Sequence, residues 1–205
     1  MKLNYGIVNY EEYKGKIMIL MKEANLSDDN GYVEVDSLNW LKRYISNDLN
    51  GKDSIQRKAK VAATKISRIA YIGEQILGCN GKMSEEEKEQ IELDARKYIG
   101  NKDNHILNRI AFSNVKDEDC GGRTSNNKQL LDWIKKDNNI EQLKDRIESC
   151  IVNSNILYVL IGGPKNYFNE LVKLIGNINN VKFISINHYS VVSYKQVINN
   201  ISEAI

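Results

Sequence analysis

Side chains that could do chemistry follow several short apolar segments of this sequence. Glu23 comes soon after Ile17–Met21, and Asn114 comes soon after Ile110–Phe112. His188 follows the last such segment. A carboxylate, an amide and an imidazole supply a negative charge, a paired donor and acceptor, and a titratable donor. The sequence therefore predicts one polar site that these three side chains build together.

Two adjacent glycines, Gly162 and Gly163, follow a third apolar segment. Glycine after a strand permits a tight turn or a close approach of the backbone to a ligand. No G-x-x-x-x-G-K sequence follows them, which argues against a loop for a nucleoside triphosphate.

Each of these residues also has a purely structural interpretation. Glu23 could cap a helix or lie in water, and Asn114 could bond the backbone of its own turn. His188 could be structural, and the two glycines could do no more than permit a turn. For His105 we expect an exposed loop position, and for Trp40 a place in the core.

The apolar segments have the length and continuity of strands that are covered on both faces. The predicted strands are Ile17–Met21, Ile110–Phe112, Ile156–Ile161 and Lys182–Ile186. Helical patterns alternate with them, which is typical of an α/β fold with a parallel sheet. We therefore expect one domain over residues 1–205, three-layered α/β/α, with a central, mostly parallel four-stranded sheet. Parallel strands would bring the polar segments to one edge of that sheet, where such folds bind ligands.

Apolar residues at helical spacing predict the helices, and Ser84 followed by Glu87 indicates a capping box at the start of one of them. The predicted helices are Asp36–Leu49, Ser54–Leu77, Ser84 to about Ile99, Asn127–Val152, Tyr167–Ile175 and Tyr194–Ile205.

Composition narrows the class of protein. The net charge of +2 is too small to demand a nucleic-acid partner and does not exclude one. No segment has the length of a transmembrane helix, and the N-terminus lacks an apolar signal core, so we expect a cytoplasmic protein without membrane contact. We separately expect a monomer, although no feature of the sequence sets the oligomeric state. Three cysteines without ligand spacing and two histidines predict reduced thiols, no metal and no cofactor.

Five segments, taken in chain order, resemble the motifs of one family. They are Lys22-Glu23-Ala24-Asn25-Leu26 (followed by Asp28, Asp29 and Gly31), Asn39-Trp40-Leu41, Ala111-Phe112-Ser113-Asn114-Val115-Lys116, Leu157-Tyr158-Val159-Leu160-Ile161-Gly162 and His188-Tyr189-Ser190. In this order they resemble the uracil-DNA glycosylase superfamily over most of the chain. The resemblance implies the fold of this superfamily and an activity that hydrolyses the bond between a base and deoxyribose in DNA.

The resemblance also implies roles for individual side chains. Glu23 would stabilise the cationic sugar or orient water, and His188 would donate a hydrogen bond to the leaving base. Asn114 would read the amide edge of a uracil-like base flipped out of the helix. Tyr32 or Phe112 would stack on that base, with Tyr32 preferred.

Further residues complete the implied site. Asn25 would also contact the base, and Gly162 and Gly163 would be the glycines at a strand end. The implied phosphate contacts are Lys116, Arg123, Ser190 and Lys195. The expected partner is DNA that contains a modified base, or a free base or nucleotide.

The sequence departs from the family at two motifs. The first motif lacks its glycines and proline, and Tyr189 stands where a proline is expected. These departures favour one alternative, a catalytically inactive protein of this fold that binds a base, a nucleotide or a DNA-processing partner. A second alternative is an unrelated α/β hydrolase or transferase that acts on free nucleosides.

Overall fold

A computed structural model describes residues 6–23, 37–49, 53–80, 82–100, 104–116, 126–136, 138–186 and 193–205. For Glu23 and Ser37 it describes the backbone. Within these ranges the strands are β1 (Gly6–Ile7), β2 (Ile17–Glu23), β3 (Ala111–Lys116), β4 (Leu157–Ile161) and β5 (Val181–Ser185). The helices are α1 (Ser37–Ile45), α2 (Ser54–Gly78), α3 (Glu85–Lys97), α4 (Asn127–Ile134), α5 (Asn139–Glu148), α6 (Lys165–Ile175) and α7 (Tyr194–Ala204).

The described strands form one sheet in the order β1-β3-β2-β4-β5. β2 to β5 are mutually parallel, and β1 pairs antiparallel with the start of β3. The chain runs from β2 outward to β3, then crosses to β4 on the other side of β2. The topological switch point, where open α/β sheets bind ligands, therefore lies between β2 and β4.

Two cores, one on each face of the sheet, hold the layers together. Ile17, Ile19 and Met21 of β2 pack against α1, α2, α3 and α7, which we call the α2 layer. Met18 and Leu20 pack against α4, α5 and α6, the α6 layer. The crossover to β3 uses the α2 layer, and the crossovers to β4 and β5 run in the opposite direction through the α6 layer. All three crossovers therefore have the same hand.

The α/β class and the four parallel strands agree with the sequence-based expectation, but the sheet does not end there. β1 adds an antiparallel fifth strand through residues Gly6 and Ile7, so the sheet is mixed. A two-residue strand has no periodicity of its own, which is why no pattern in the sequence predicted it. The predicted capping box at Ser84 and Glu87 is confirmed, with both of its hydrogen bonds present.

Several of the predicted boundaries were wrong: β2 runs on to Glu23, so Glu23 is the last residue of its strand, and α1 ends at Ile45. The helix predicted over Asn127–Val152 is two helices, α4 and α5, and the Asn139 side chain donates to the Trp133 carbonyl across the break (2.8 Å). β3 runs on to Lys116, so Asn114 lies inside the strand and not beyond its end. The apolar pattern stops at Phe112, but backbone pairing with β2 continues through the polar residues.

His105, expected on an exposed loop, is 3% exposed. Its Nδ1 accepts the Leu107 N–H at 3.2 Å in the short 3₁₀ turn that precedes β3, and the rings of Tyr44 and Tyr98 stand edge-on to it. Gly100 has a φ of +79°, and a side chain there would overlap the imidazole. Burial lowers the pKa of His105 below its usual value of 6.5, so the native ring is neutral.

We predict that His105 makes the fold sensitive to acid. The unfolded chain binds a proton at His105 more readily than the native protein does, because the pKa of His105 is lower in the native state. The contribution of neutral His105 to the free energy of unfolding is therefore complete above about pH 6.5 and decreases as the pH falls below that value. Urea unfolding at about pH 7.5 and about pH 5.5 measures the loss. His105→Gln should show a smaller loss than the parent protein. His188→Gln, which removes the other histidine, should match the parent; equal losses in all three proteins would contradict the prediction.

Candidate functional site at the carboxyl edge of the sheet

The four parallel strands finish at one edge of the sheet, which we call the carboxyl edge. The register pairs Glu23 with Lys116 and Met21 with Asn114 on the neighbouring strands β2 and β3. On the other side of β2, the Gly162 N–H donates to the Leu20 carbonyl at 2.9 Å as the chain leaves β4. The structure therefore brings the backbone of Glu23, the Asn114 strand and Gly162 to the carboxyl edge, with Glu23 and Gly162 on the two strands that flank the switch point.

Asn114 is a polar residue in the interior of the sheet, 3% exposed. Its register partner Met21 belongs to the α2-layer core, so the amide lies on that face. The preceding Ser113 is also fully covered, and its Oγ donates to the Asn114 carbonyl at 2.9 Å. A buried amide offers two donors and an acceptor in a fixed direction, as recognition of a planar polar ligand requires.

Lys22 lies on the other face of β2, 8% exposed. Its Nζ is 5.9 Å from the centroid of the Tyr167 ring, in the first turn of α6. Gly163 makes this contact possible, because any β-carbon at that position would overlap the Tyr167 ring. A cation over an aromatic face is stabilised by the ring quadrupole, most strongly where water is excluded. Gly163, Tyr167 and Lys22 thus form one contact, which we call the lysine–tyrosine contact.

Arg146 of α5 is 4% exposed and reaches the end of β3. Its Nη1 donates to the Asn114 carbonyl at 3.2 Å and its Nη2 donates to the Val115 carbonyl at 3.1 Å. β1 pairs only with Ala111 and Phe112, so Arg146 supplies donors to β3 beyond the point where β1 ends. The sequence did contain a signal for this residue, since Arg146 lies in the apolar stripe of α5 between Leu143 and Ile147.

The other described candidates are more dispersed. The Lys116 Nζ lies 5.9 Å from the Trp133 ring centroid at the carboxyl edge, while Lys195 is exposed in the first turn of α7. Phe112 is buried in the α2-layer core. Trp40 is partly buried, and the guanidinium of Arg43 lies 4.6 Å from its ring centroid.

Several predicted site residues lie outside the described residues. They are Asn25, Tyr32, Arg123, His188 and Ser190, together with the side chain of Glu23.

Among the described residues, no group of three histidine, cysteine or acidic side chains could hold a metal ion. Cys150 is a free thiol whose pKa burial raises to about 11, so it remains protonated at neutral pH, and Cys79 is a free, exposed thiol. None of the described helices combines the length and the apolar character needed to cross a bilayer.

Gly163→Ala should destabilise the protein by about 1–3 kcal/mol, because the new methyl group must displace the Tyr167 ring from the lysine–tyrosine contact. Gly78→Ala is the matched control, since open space surrounds its β-carbon position and alanine favours a helix. Urea unfolding of both variants checks this. Equal stability of the two variants would show that the ring moves aside at no cost.

Arg146→Lys should cost about 1–3 kcal/mol, because an ammonium cannot bond the Asn114 and Val115 carbonyls as the planar guanidinium does. Arg57→Lys, on an exposed position of α2, controls for the chemical change. The free energy of unfolding by urea is again the measurement. A variant as stable as the control would exclude a structural role for the two bonds.

Comparisons of this chain with protein-family models, with curated proteins and with solved structures found no match. The resemblance to the uracil-DNA glycosylase superfamily therefore rests on the sequence motifs alone.

Proposed function

We propose that this protein is a DNA glycosylase that hydrolyses the N-glycosidic bond of uracil or another modified base flipped out of DNA. The observation that carries the proposal is the placement of Asn114 and Glu23 on adjacent strands beside the switch point. Two residues of offset on neighbouring parallel strands separate their α-carbons by about 8 Å. That spacing lets one nucleoside lie with its base at the amide and its sugar at the carboxylate.

The charges that develop during cleavage assign a role to the residues at the sugar and to those at the base. Cleavage develops positive charge on the sugar and negative charge on the leaving base. Glu23 stabilises the first charge or orients the attacking water, and His188 donates to a carbonyl of the base. Asn114 reads the amide edge of the base. Tyr32 stacks on the base in preference to Phe112, whose ring is buried in the α2-layer core.

The charge of the carboxyl edge also supports a polyanionic partner. Lys22, Lys116 and Arg146 place three cations at the ends of β2 and β3. Lys22 and Arg146 are buried, so Lys116 is the one of these three cations that is open to a phosphate. A cation near a phosphate releases bound counterions and so favours DNA binding at low salt. The same positive potential favours departure of an anionic base.

Loss of either catalytic group should remove most of the turnover. Glu23→Gln and His188→Ala should each lower the single-turnover cleavage rate about 100- to 1000-fold, while DNA binding at fixed salt is retained. The substrates are duplexes and single strands that contain uracil, hypoxanthine or hydroxymethyluracil, with alkali to reveal abasic sites. Glu89→Gln, on the exposed face of α3, controls for the loss of one carboxylate.

The outcomes separate the alternatives. Absence of cleavage by the parent protein on every substrate, with binding retained, would replace the proposal with a binding protein. Full cleavage by both variants would remove the assigned roles.

Asn114→Asp should change base preference more than it changes the fold. The carboxylate loses the amide donors that read a base carbonyl, so excision of uracil should fall relative to the other bases in the panel. Circular dichroism and urea unfolding monitor the fold of the variant, because the position is buried. A variant that is folded, active and unchanged in its preference would show that Asn114 does not contact the base.

A further inference from the structure

β5 forms the outer edge of the sheet opposite β1, with β4 on its inner side. The Leu157 N–H donates to the Asn180 carbonyl at 2.8 Å, and the Ile186 N–H donates to the Ile161 carbonyl at 3.0 Å. In a parallel ladder these bonds alternate along the strand. Residues 180, 182, 184 and 186 therefore bond β4, while the backbone groups of Val181, Phe183 and Ser185 point away from the sheet.

The two ends of this outward row are satisfied within the protein. The Val181 N–H donates to the Ile178 carbonyl at 3.2 Å, and the Asn200 side chain donates to the Ser185 carbonyl at 2.7 Å. Four outward groups then have no hydrogen-bond partner among the described residues. They are the Val181 carbonyl, the Phe183 N–H and carbonyl, and the Ser185 N–H.

These four groups are self-complementary under a two-fold axis. At a hydrogen-bonded pair of antiparallel strands, the outward N–H and C=O groups of the two opposite residues face each other. If Phe183 lies opposite Phe183 of a second copy, the two residues exchange two bonds. Val181 then lies opposite Ser185 of the second copy, so that its carbonyl accepts from the Ser185 N–H, and the same bond forms once more by symmetry. The pairing does not need the Val181 N–H or the Ser185 carbonyl, which are already bonded within each copy and lie farther from the axis than these four groups.

The side chains beside the edge suit the same arrangement. A groove of about 370 Å³ runs along β5 between α6 and α7, lined by Phe168, Phe183 and Asn200. Two Phe183 rings would meet directly across the axis, a pairing that stabilises antiparallel strands. A lysine on an edge strand often prevents pairing with another strand. Here the Lys182 Nζ lies 5.8 Å from the Tyr158 ring centroid on the neighbouring strand β4, and so on the inner side of β5.

We propose that β5 is a homodimer interface, in which two copies pair antiparallel about a two-fold axis at Phe183. The pairing joins two five-stranded sheets into one continuous sheet. It makes the protein a dimer, whereas the sequence alone led us to expect a monomer. None of the residues assigned to the proposed activity takes part in this pairing, so the pairing does not depend on that activity.

Site-directed disulfides test the register. Opposite residues that exchange hydrogen bonds have α-carbons about 5.5 Å apart, within the range that a disulfide spans. In a background with Cys79→Ser and Cys120→Ser, Phe183→Cys should form a covalent dimer under mild oxidation at least about tenfold faster than Val181→Cys or Ser185→Cys. The double variant with cysteines at 181 and 185 should recover rapid crosslinking, because these positions face each other. Equal rates for the single variants would overturn the pairing.

Sedimentation equilibrium tests the interface without introduced cysteines. The average molecular mass of the parent protein should rise with concentration from 23.5 kDa toward twice that value. Ser185→Pro removes one outward N–H from each copy and leaves the β4 ladder intact, so it should weaken dimerisation at least about tenfold. Ser185→Thr keeps the N–H and should dimerise like the parent.

Amide exchange supplies a measurement within the parent protein. The Phe183 and Ser185 amides should gain protection as the concentration rises, while the Val181 amide, bonded to Ile178, should not change. A parent that stays monomeric to about 1 mM would overturn the proposal and leave the edge to a strand from another protein.

Discussion

Burial of β2 on both faces is the constraint on which the rest of the structure depends. Ile17, Met18, Ile19 and Leu20 are almost fully covered, alternately by the α2 layer and the α6 layer. Each such side chain contributes about 1.5–3 kcal/mol only if the layer that it faces is present, so the strand as a whole needs both layers. β2 also pairs with β3 on one side and β4 on the other, so its position fixes the strand order and the switch point between β2 and β4.

Within the described ranges, the buried Lys22, His105 and Arg146 lie near the ends of the sheet strands. Arg146 gives its donors to carbonyls of β3, and Lys22 lies over the Tyr167 ring. His105 stays neutral between two tyrosine rings at the opposite end of β3. Burial of charge costs several kcal/mol unless it is compensated. The presence of Arg146 and Lys22 near the carboxyl edge, where the backbone of Glu23 and the Asn114 amide also lie, therefore concentrates polar chemistry at that place.

The two outer edges of the sheet are treated differently. β1 is two residues long, and beyond it Arg146 donates hydrogen bonds to the Asn114 and Val115 carbonyls of β3. β5 is longer, and within the described part of the chain its outward backbone groups are hydrogen-bonded only at the two ends of the strand. An edge that keeps a self-complementary set of backbone groups is a template for a second strand. This difference is why the partner surface is assigned to β5.

The sequence by itself determined the four parallel strands, the helices between them and the edge where Glu23, Asn114 and Gly162 lie, because period and apolar content follow from burial on both faces. It did not determine that β3 continues through Asn114, since that extension depends on backbone pairing with β2. Nor did it reveal that His105 is buried or that Gly163 must accommodate Tyr167. It also did not reveal that the middle edge groups of β5 have no hydrogen-bond partner among the residues that the structure describes. These features arise from contacts between residues distant in the chain, and only the tertiary structure decides which distant residues meet.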